Sequence, residues 1–291
     1  MKNFALTGAA GYIAPRHVRA IKDTGNKLVA MLDPHDNVGY IDSQFPDAAY
    51  FRESERLDRH LYRLKRKGKP VDYVSICSPN YLHDAHIRLG LRNGADVICE
   101  KPLVLNSEHI EALRELEIET GKKVYTILQL RYHPAIINLR NKIKNNPDKM
   151  YEVSLEYITP RGNWYDFSWK NDFDKAGGVV SNIGIHFFDM LFWIFGDVIK
   201  YSVKNTPRSS KGQLELKNAT VNYFLSINHE DLPWKEWKPF RSIKINNEEL
   251  EFSTGFTDLH TESYKQILEG NGYGLDDVEP VINFVSTIKR I

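Results

Sequence analysis

Through the first 130 residues, short apolar runs alternate with stretches whose apolar positions recur at helical spacing. The runs are Asn3 to Thr7, Lys27 to Leu32, Asp72 to Cys77, Asp96 to Cys99 and Val124 to Leu130. They predict strands of a parallel sheet covered on both faces and joined by helical crossovers. Between them, His86 to Leu91 keeps helical spacing ahead of Asn93-Gly94, and Asn106-Ser107 opens a helix that Thr120-Gly121 closes. After Leu130 the rhythm changes. Tyr151 to Tyr157 and Thr220 to Ile227 alternate apolar and polar positions, as do shorter runs around Ile243 and Leu250. That alternation predicts a sheet with one covered face. The expected architecture is an α/β doubly wound parallel sheet over 1–130, then an α+β domain over 131–291 with a mostly antiparallel open sheet.

Composition narrows the class. A chain of 291 residues, 42% hydrophobic and 26% charged, has enough apolar surface to fold throughout as two domains. A formal net charge of +1 gives no field to attract nucleic acid. The N-terminus lacks the layout of a signal peptide. The longest apolar run, Gly184 to Phe195, is too short to span a bilayer and carries His186 and Asp189. It reads as a core helix. Cys77 and Cys99 are the only cysteines and both sit in strand-like contexts. They offer neither a disulfide framework nor a zinc motif, which fits a reducing cytoplasm. His83, Asp84 and His86 are too few to hold a metal and are expected on a solvated helix face.

The first strand runs into Gly8-Ala9-Ala10-Gly11-Tyr12-Ile13-Ala14. Small residues there let the backbone turn sharply and approach a pyrophosphate at the next helix N-terminus, as in a Rossmann domain. The turn departs from G-x-G-x-x-G/A, because Ala9 stands at the first glycine position. Asp33 ends the second strand about twenty residues beyond Gly11, where a carboxylate accepts from ribose hydroxyls. This favours NAD. A 2′-phosphate would be repelled, and Pro34-His35 supplies no arginine for one. Asp33, Ser78-Pro79-Asn80, Glu100-Lys101-Pro102 and Gln129 all follow strand-like runs. They are therefore expected along the carboxyl edge of the sheet, where open α/β folds bind ligands. Gly8, Ala10, Gly11, Tyr12, Ile13, Asp33, Ser78, Asn80, His83, Glu100, Lys101 and Gln129 form the expected cofactor set.

Three motifs then carry a family resemblance. Ile98-Cys99-Glu100-Lys101-Pro102-Leu103 resembles the Glu-Lys-Pro motif of the glucose-fructose oxidoreductase, inositol dehydrogenase and rhizopine-catabolism (Gfo/Idh/MocA) superfamily. Ser78 to His83 resembles its preceding strand-end motif, and Gly177-Gly178 through Asn182, Gly184, His186 and Asp189 its second-domain signature. Within that superfamily the chain is most similar to UDP-N-acetylglucosaminuronate 3-dehydrogenases of lipopolysaccharide O-antigen biosynthesis. Leu6 to Ala14, Leu32 to Asp36, Ser181 to Asp189 and Gly255 to Thr261 carry that likeness. The resemblance implies oxidation of a ring hydroxyl to a 3-keto nucleotide sugar, and a homo-oligomer, dimer or tetramer. A dehydrogenase of another sugar or cyclitol and a non-catalytic NAD-binding sensor are the alternatives.

Oxidising a secondary alcohol requires a hydride acceptor, a base for the hydroxyl proton and a group that stabilises the developing oxyanion. The resemblance assigns the base to His186 and the positioning cation to Lys101. Many superfamily members carry Asp where Asn182 stands. An amide orients a hydroxyl without raising the imidazole pKa, so Asn182 is expected to orient substrate. A nucleotide sugar also brings a diphosphate and a carboxylate. Arg131, Arg161, Trp164, Tyr165, Ser168 and Lys170, with His133 and Trp169 nearby, are the expected cations and aromatic walls.

Overall fold

The computed structural model describes residues 1–251 and 258–291. The chain divides into two compact units: Met1–Gln129 with Asp258–Val278, and Leu130–Thr257 with Glu279–Ile291. In the first unit the elements are β1 (Asn3–Thr7), α1 (Ala14–Asp23), β2 (Lys27–Leu32), β3 (Ala49–Phe51), α2 (Ser54–Arg66) and β4 (Tyr73–Ile76). They continue with α3 (His83–Arg92), β5 (Asp96–Cys99), α4 (Glu108–Thr120) and β6 (Val124–Thr126). Every strand pair is parallel, in the order β3-β2-β1-β4-β5-β6. That is the doubly wound order, with its reversal between β1 and β4. α1 carries Pro15 in its first turn and buries Ala14, His17, Val18 and Ile21 on one stripe. α4 ends at Gly121 in the left-handed region.

Two differences from the sequence pattern have local causes. β6 stops at Thr126 rather than continuing to Leu130, because Gln129–Tyr132 tightens into a 3-10 turn. The segment 258–278 belongs with the first unit instead of extending a second domain over 131–291. Its helix α8 (Leu259–Leu268) packs on α1, and the wholly buried Tyr264 stacks 5.8 Å from Phe4 of β1. Burying such a ring stabilises by about 2–3 kcal/mol.

The second unit holds α5 (Pro134–Lys144), β7 (Tyr151–Ile158), α6 (Phe173–Ala176), α7 (Ile185–Phe195), β8 (Val198–Asn205), β9 (Ser209–Leu216), β10 (Ala219–Ser226), β11 (Phe240–Ile245) and β12 (Glu248–Glu249). The division between units falls within α9 (Leu275–Ile288), beside Pro280. The sheet order is β12-β11-β7-β10-β9-β8, and only the β7–β10 pair is parallel. β8 escaped the alternation pattern because it is an edge strand with most positions exposed. α7 is nearly all apolar, and its Phe188 meets Tyr223 of β10 edge-on at 5.1 Å. The helical stretch Phe173–Phe195 is long and apolar enough to cross a membrane, yet 78% of its apolar 18-residue window is buried inside the protein. It is a core element, as the sequence predicts.

Candidate active site

The parallel topology brings the expected cofactor residues of the first unit to the carboxyl ends of β1, β2, β4, β5 and β6. Gly8 lies at φ +75, and a Cβ there would stand 2.4 Å from the Cys77 carbonyl carbon and the Ser78 nitrogen. Only glycine permits this approach of two strand ends. The Gly8 and Ala9 amides donate to Leu32 O, and Tyr40 Oη donates to Ala9 O at 2.8 Å, so the turn is pinned from both sides. Tyr12 projects into solvent, and no side chain caps the α1 N-terminus. The Ala14 and Arg16 amides are spent on Gly11 O and Ile13 O and Pro15 has none, so the Tyr12 and Ile13 amides, which no described backbone carbonyl accepts, are what the turn offers an anion at the positive end of the helix dipole.

Asp33 is buried, and each of its oxygens accepts one amide at 2.9 Å, from Ala10 and from His35. Each oxygen keeps a lone pair for a ribose hydroxyl. Arg52, outside the expected set, donates to Pro34 O at 3.1 Å, one residue after this carboxylate. Gln129 Oε1 is buried without a protein partner. An orphaned acceptor at this edge, a turn ending at a helix N-terminus and a glycine cradle fit a dinucleotide.

Other members of the set turn inward. Ser78 Oγ meets His86 Nδ1 at 2.8 Å. His83 reaches Ser78 O with Nε2 (2.8 Å) and Pro102 O with Nδ1 (2.7 Å), bracing the loops after β4 and β5. Burial lowers its pKa against the pull of those carbonyls, so a neutral ring donates to one of them at a time. His83 and His86 are both buried, which corrects the expectation of a solvated helix face. Asn80 is buried and Lys101 half-buried, with a cis peptide bond between Lys101 and Pro102.

Glu100 is the centre of a buried polar chain that the sequence did not announce. Its Oε1 accepts from His17 Nε2 and His260 Nε2, each at 2.9 Å. His17 Nδ1 lies 2.8 Å from Tyr264 Oη, which lies 2.6 Å from Ser75 Oγ. Burial would push the Glu100 carboxyl up, but the two imidazole bonds hold it well below the usual range. Burial lowers the His17 pKa and keeps that ring neutral. The Tyr264 ring therefore packs while its hydroxyl joins this chain. A histidine on the apolar stripe of α1 was the available signal.

In the second unit Arg131 is paired with Asp189. Nε and Nη2 reach the two Asp189 oxygens at 3.1 and 2.6 Å, and both residues are buried. His133 caps α5 by accepting from the Ala135 amide. The segment 161–172, by contrast, folds on itself. Tyr165 Oη donates to Lys170 O at 2.9 Å and is hydrogen-bonded to Asn182, while the Lys170 amide donates to Ser168 Oγ. Arg208, absent from the sequence-level set, clamps this segment through Asp166 Oδ1, Arg161 O and Asn228 Oδ1. Lys170 Nζ lies 5.8 Å from the centres of both the Trp164 and Trp169 rings. Burial and the nearby Arg161 lower its pKa. Two cations at close quarters, with Asp166 already neutralised by Arg208, form a setting for an anion. Asn182 precedes His186 by one turn at the junction of a π-helical turn (Val180–Gly184) with α7, and both are half-buried.

A doubly wound sheet with this glycine turn and acidic strand end defines a dinucleotide-binding oxidoreductase. The chain belongs to the Gfo/Idh/MocA oxidoreductase family. Residues 2–128 match its NAD-binding Rossmann fold and residues 147–231 its C-terminal alpha/beta domain. The chain is 48% identical to the WlbA (WbpB) dehydrogenase of Thermus thermophilus, crystallised with NAD and UDP-GlcNAcA. That match covers 100% of this chain and 95% of the other, with a TM-score of 0.95. A structure of the same Thermus dehydrogenase with NAD and alpha-ketoglutarate matches at 49% identity, 99% and 96% coverage and a TM-score of 0.94. The glucose-6-phosphate 3-dehydrogenase of Bacillus subtilis is 23% identical over 234 residues. That is 78% of this chain but only 63% of the relative's length.

Proposed function

We propose that this protein is an NAD-dependent sugar dehydrogenase that oxidises the C3 hydroxyl of UDP-GlcNAcA to the 3-keto nucleotide sugar, in O-antigen sugar biosynthesis. The observation that carries this reading is the end-to-end similarity to the Thermus dehydrogenase crystallised with NAD and UDP-GlcNAcA. The cation and tryptophan cluster of residues 161–170 suits a substrate that bears a diphosphate and a carboxylate. Residues 1–130 serve as the NAD-binding domain and 131–291 as the substrate and oligomerisation domain, with 258–278 returning to the first. The protein acts in the cytoplasm as a homo-oligomer, dimer or tetramer.

In this reading NAD, when bound, supplies the hydride acceptor. The Lys101 ammonium donates to the C3 oxygen, fixing the hydroxyl and favouring its alkoxide character. His186 Nε2 or Nδ1 takes the hydroxyl proton as the carbon–hydrogen bond gives up its electron pair. Asp33 accepts from the adenosine ribose, and Gln129 offers its buried carbonyl oxygen to the cofactor. The Thermus complex with alpha-ketoglutarate suggests that a 2-oxo acid returns the cofactor to its oxidised form.

The test is turnover of UDP-GlcNAcA by purified protein with NAD and 2-oxoglutarate, followed by detection of the 3-keto product. UDP-GlcNAc, glucose 6-phosphate and myo-inositol serve as competitors. Folded, NAD-binding protein that ignores UDP-GlcNAcA, or prefers one of the unconjugated substrates, would reject the assignment.

A further inference from the structure

Residues 17, 75, 100, 260 and 264 come from α1, β4, the end of β5 and α8, and they meet in one buried chain of hydrogen bonds. We propose that this chain is a positioning device for Lys101, in which His260 and His17 fix the Glu100 carboxylate and thereby set the lysine against the cofactor turn. The proposal rests on the role given to Lys101 above.

The proton inventory supports it. With His17 neutral, Tyr264 O–H donates to Nδ1 and Ser75 O–H donates to the tyrosine oxygen. His17 and His260 then each give an Nε2–H to Glu100 Oε1. The other carboxylate oxygen accepts the Lys101 amide at 3.3 Å. The carboxylate is thus held at one oxygen by two helices and grips, through the other, the backbone of the residue assigned to the reaction. His17 lies one turn into the helix whose N-terminus ends the cofactor turn. One anchored oxygen therefore ties that helix to the lysine.

Stability alone does not account for the arrangement. A buried charge with its hydrogen-bonding partners adds little stability over a well-packed apolar core, while breaking it is costly. What such a chain supplies is a fixed geometry, and supporting residues of this kind set how well a reacting group is placed. His260 lies outside both stretches matched to the family, so its part in the lysine's surroundings comes from the return of α8 to the first unit. The His17, Glu100 and His260 ligand atoms also lie within 4.8 Å of one another, a spacing that could hold a metal ion. Yet both imidazole N–H groups facing the carboxylate are used by it, and the second nitrogen of His17 is used by Tyr264.

The experiment compares His260→Gln, whose amide nitrogen reaches as far as Nε2, with His260→Phe, which fills the space without a donor. Turnover, KM for each substrate, NAD affinity by binding titration and metal content are measured on the full chain. His260→Phe is expected to lose about 10-fold or more in kcat, with the sugar KM within about 2-fold, as misplacement of a reacting group does. It should also weaken NAD several-fold, and His260→Gln should recover most of both. Wild-type kcat in His260→Phe, equal losses in the two variants, or a stoichiometric divalent metal would each overturn the proposal. Should His260→Phe not fold, Tyr264→Phe removes a single hydroxyl from the chain. A kcat drop of about 3-fold at unchanged KM is then expected, and an unchanged kcat counts against the idea. If the wild-type protein has no turnover, the substrate assignment has failed, and the NAD titrations still decide the positioning role.

Discussion

The Glu100 chain and the 161–170 segment treat charge in opposite ways. Around Glu100 one carboxylate is buried among hydrogen-bond donors, so its charge is compensated by hydrogen bonds on every side described. Around Lys170 two cations stand near each other, half-buried, with tryptophan rings beside one of them. The first arrangement is complete without a ligand. The second carries electrostatic repulsion that an anion would relieve. A completed polar network therefore marks support, and an uncompensated one marks binding, even when both contain residues that sequence motifs single out.

The sharpest break in that comparison would come at Lys101. Lys101→Met is expected to cut kcat by about 100- to 10,000-fold, the range for losing a positioned proton-handling or charge-stabilising group. His186→Asn should match it, while NAD titrations stay close to wild type for His186→Asn. Turnover within a few-fold of wild type in either variant would remove that residue from the chemistry.

Arg131 tests the rule from the side of completed networks. Arg131→Met leaves Asp189 buried without its guanidinium and is expected to cost about 3–5 kcal/mol in stability. Adding Asp189→Leu should restore most of that loss, since an apolar pair of similar volume replaces a buried ion pair well. If Arg131→Met instead left the urea midpoint alone and raised only the sugar KM, the arginine would be a binding residue as the sequence suggested.

The Arg131–Asp189 pairing shows where legibility ended. The sheet of the first unit could be read because β1, β2 and β5 are unbroken apolar runs, and the glycine turn because backbone geometry demands particular residues. Motif position also led to Glu100, Lys101 and His186. What one sequence could not reveal was which partner a polar side chain takes. Arg131 and Asp189 are 58 positions apart, and His260 lies 160 positions from Glu100. No local periodicity encodes such pairs. Arg208 was missed for the same reason, since it acts on a segment more than 40 positions earlier. Of the late motif, Gly255 to Thr257 lie outside the described residues, while His260 within it proved to be a member of the Glu100 chain.

Protonation offers a gentler test. Burial, with a smaller contribution from His83, lowers His86 to about 4, and the ring is held on Ser78 Oγ. The unfolded imidazole titrates near 6.5. Between these values the unfolded chain binds a proton that the folded one refuses, so stability falls as pH drops from about 6.5 towards 4, by about 3 kcal/mol for this group. The neutral state is stable above that window. Urea unfolding of His86→Gln across the same range should show a slope shallower by close to one proton. Identical slopes for variant and wild type would mean that the ring accepts its proton in the fold.

The smallest effects are expected in the 161–170 segment, and their sign matters more than their size. Lys170→Met keeps most of the aliphatic stem beside Trp164 and Trp169 while removing the ammonium. The loss of one exposed-side anion contact should raise the KM for UDP-GlcNAcA by about 10-fold, or ~1.4 kcal/mol, with kcat nearly unchanged. Arg161→Met should behave alike. Raising salt should blunt the wild-type advantage because these charges are only half-buried. Stability should move the other way. Removing Lys170 relieves both its burial and its repulsion by Arg161, so the melting temperature of the ligand-free variant should hold or rise. A binding loss without a stability loss is the reverse of the Arg131 pattern, and is what an uncompensated charge cluster requires. A Lys170→Met protein that melts lower and binds substrate as before would show that the cations support the fold, and the contrast between the two regions would collapse.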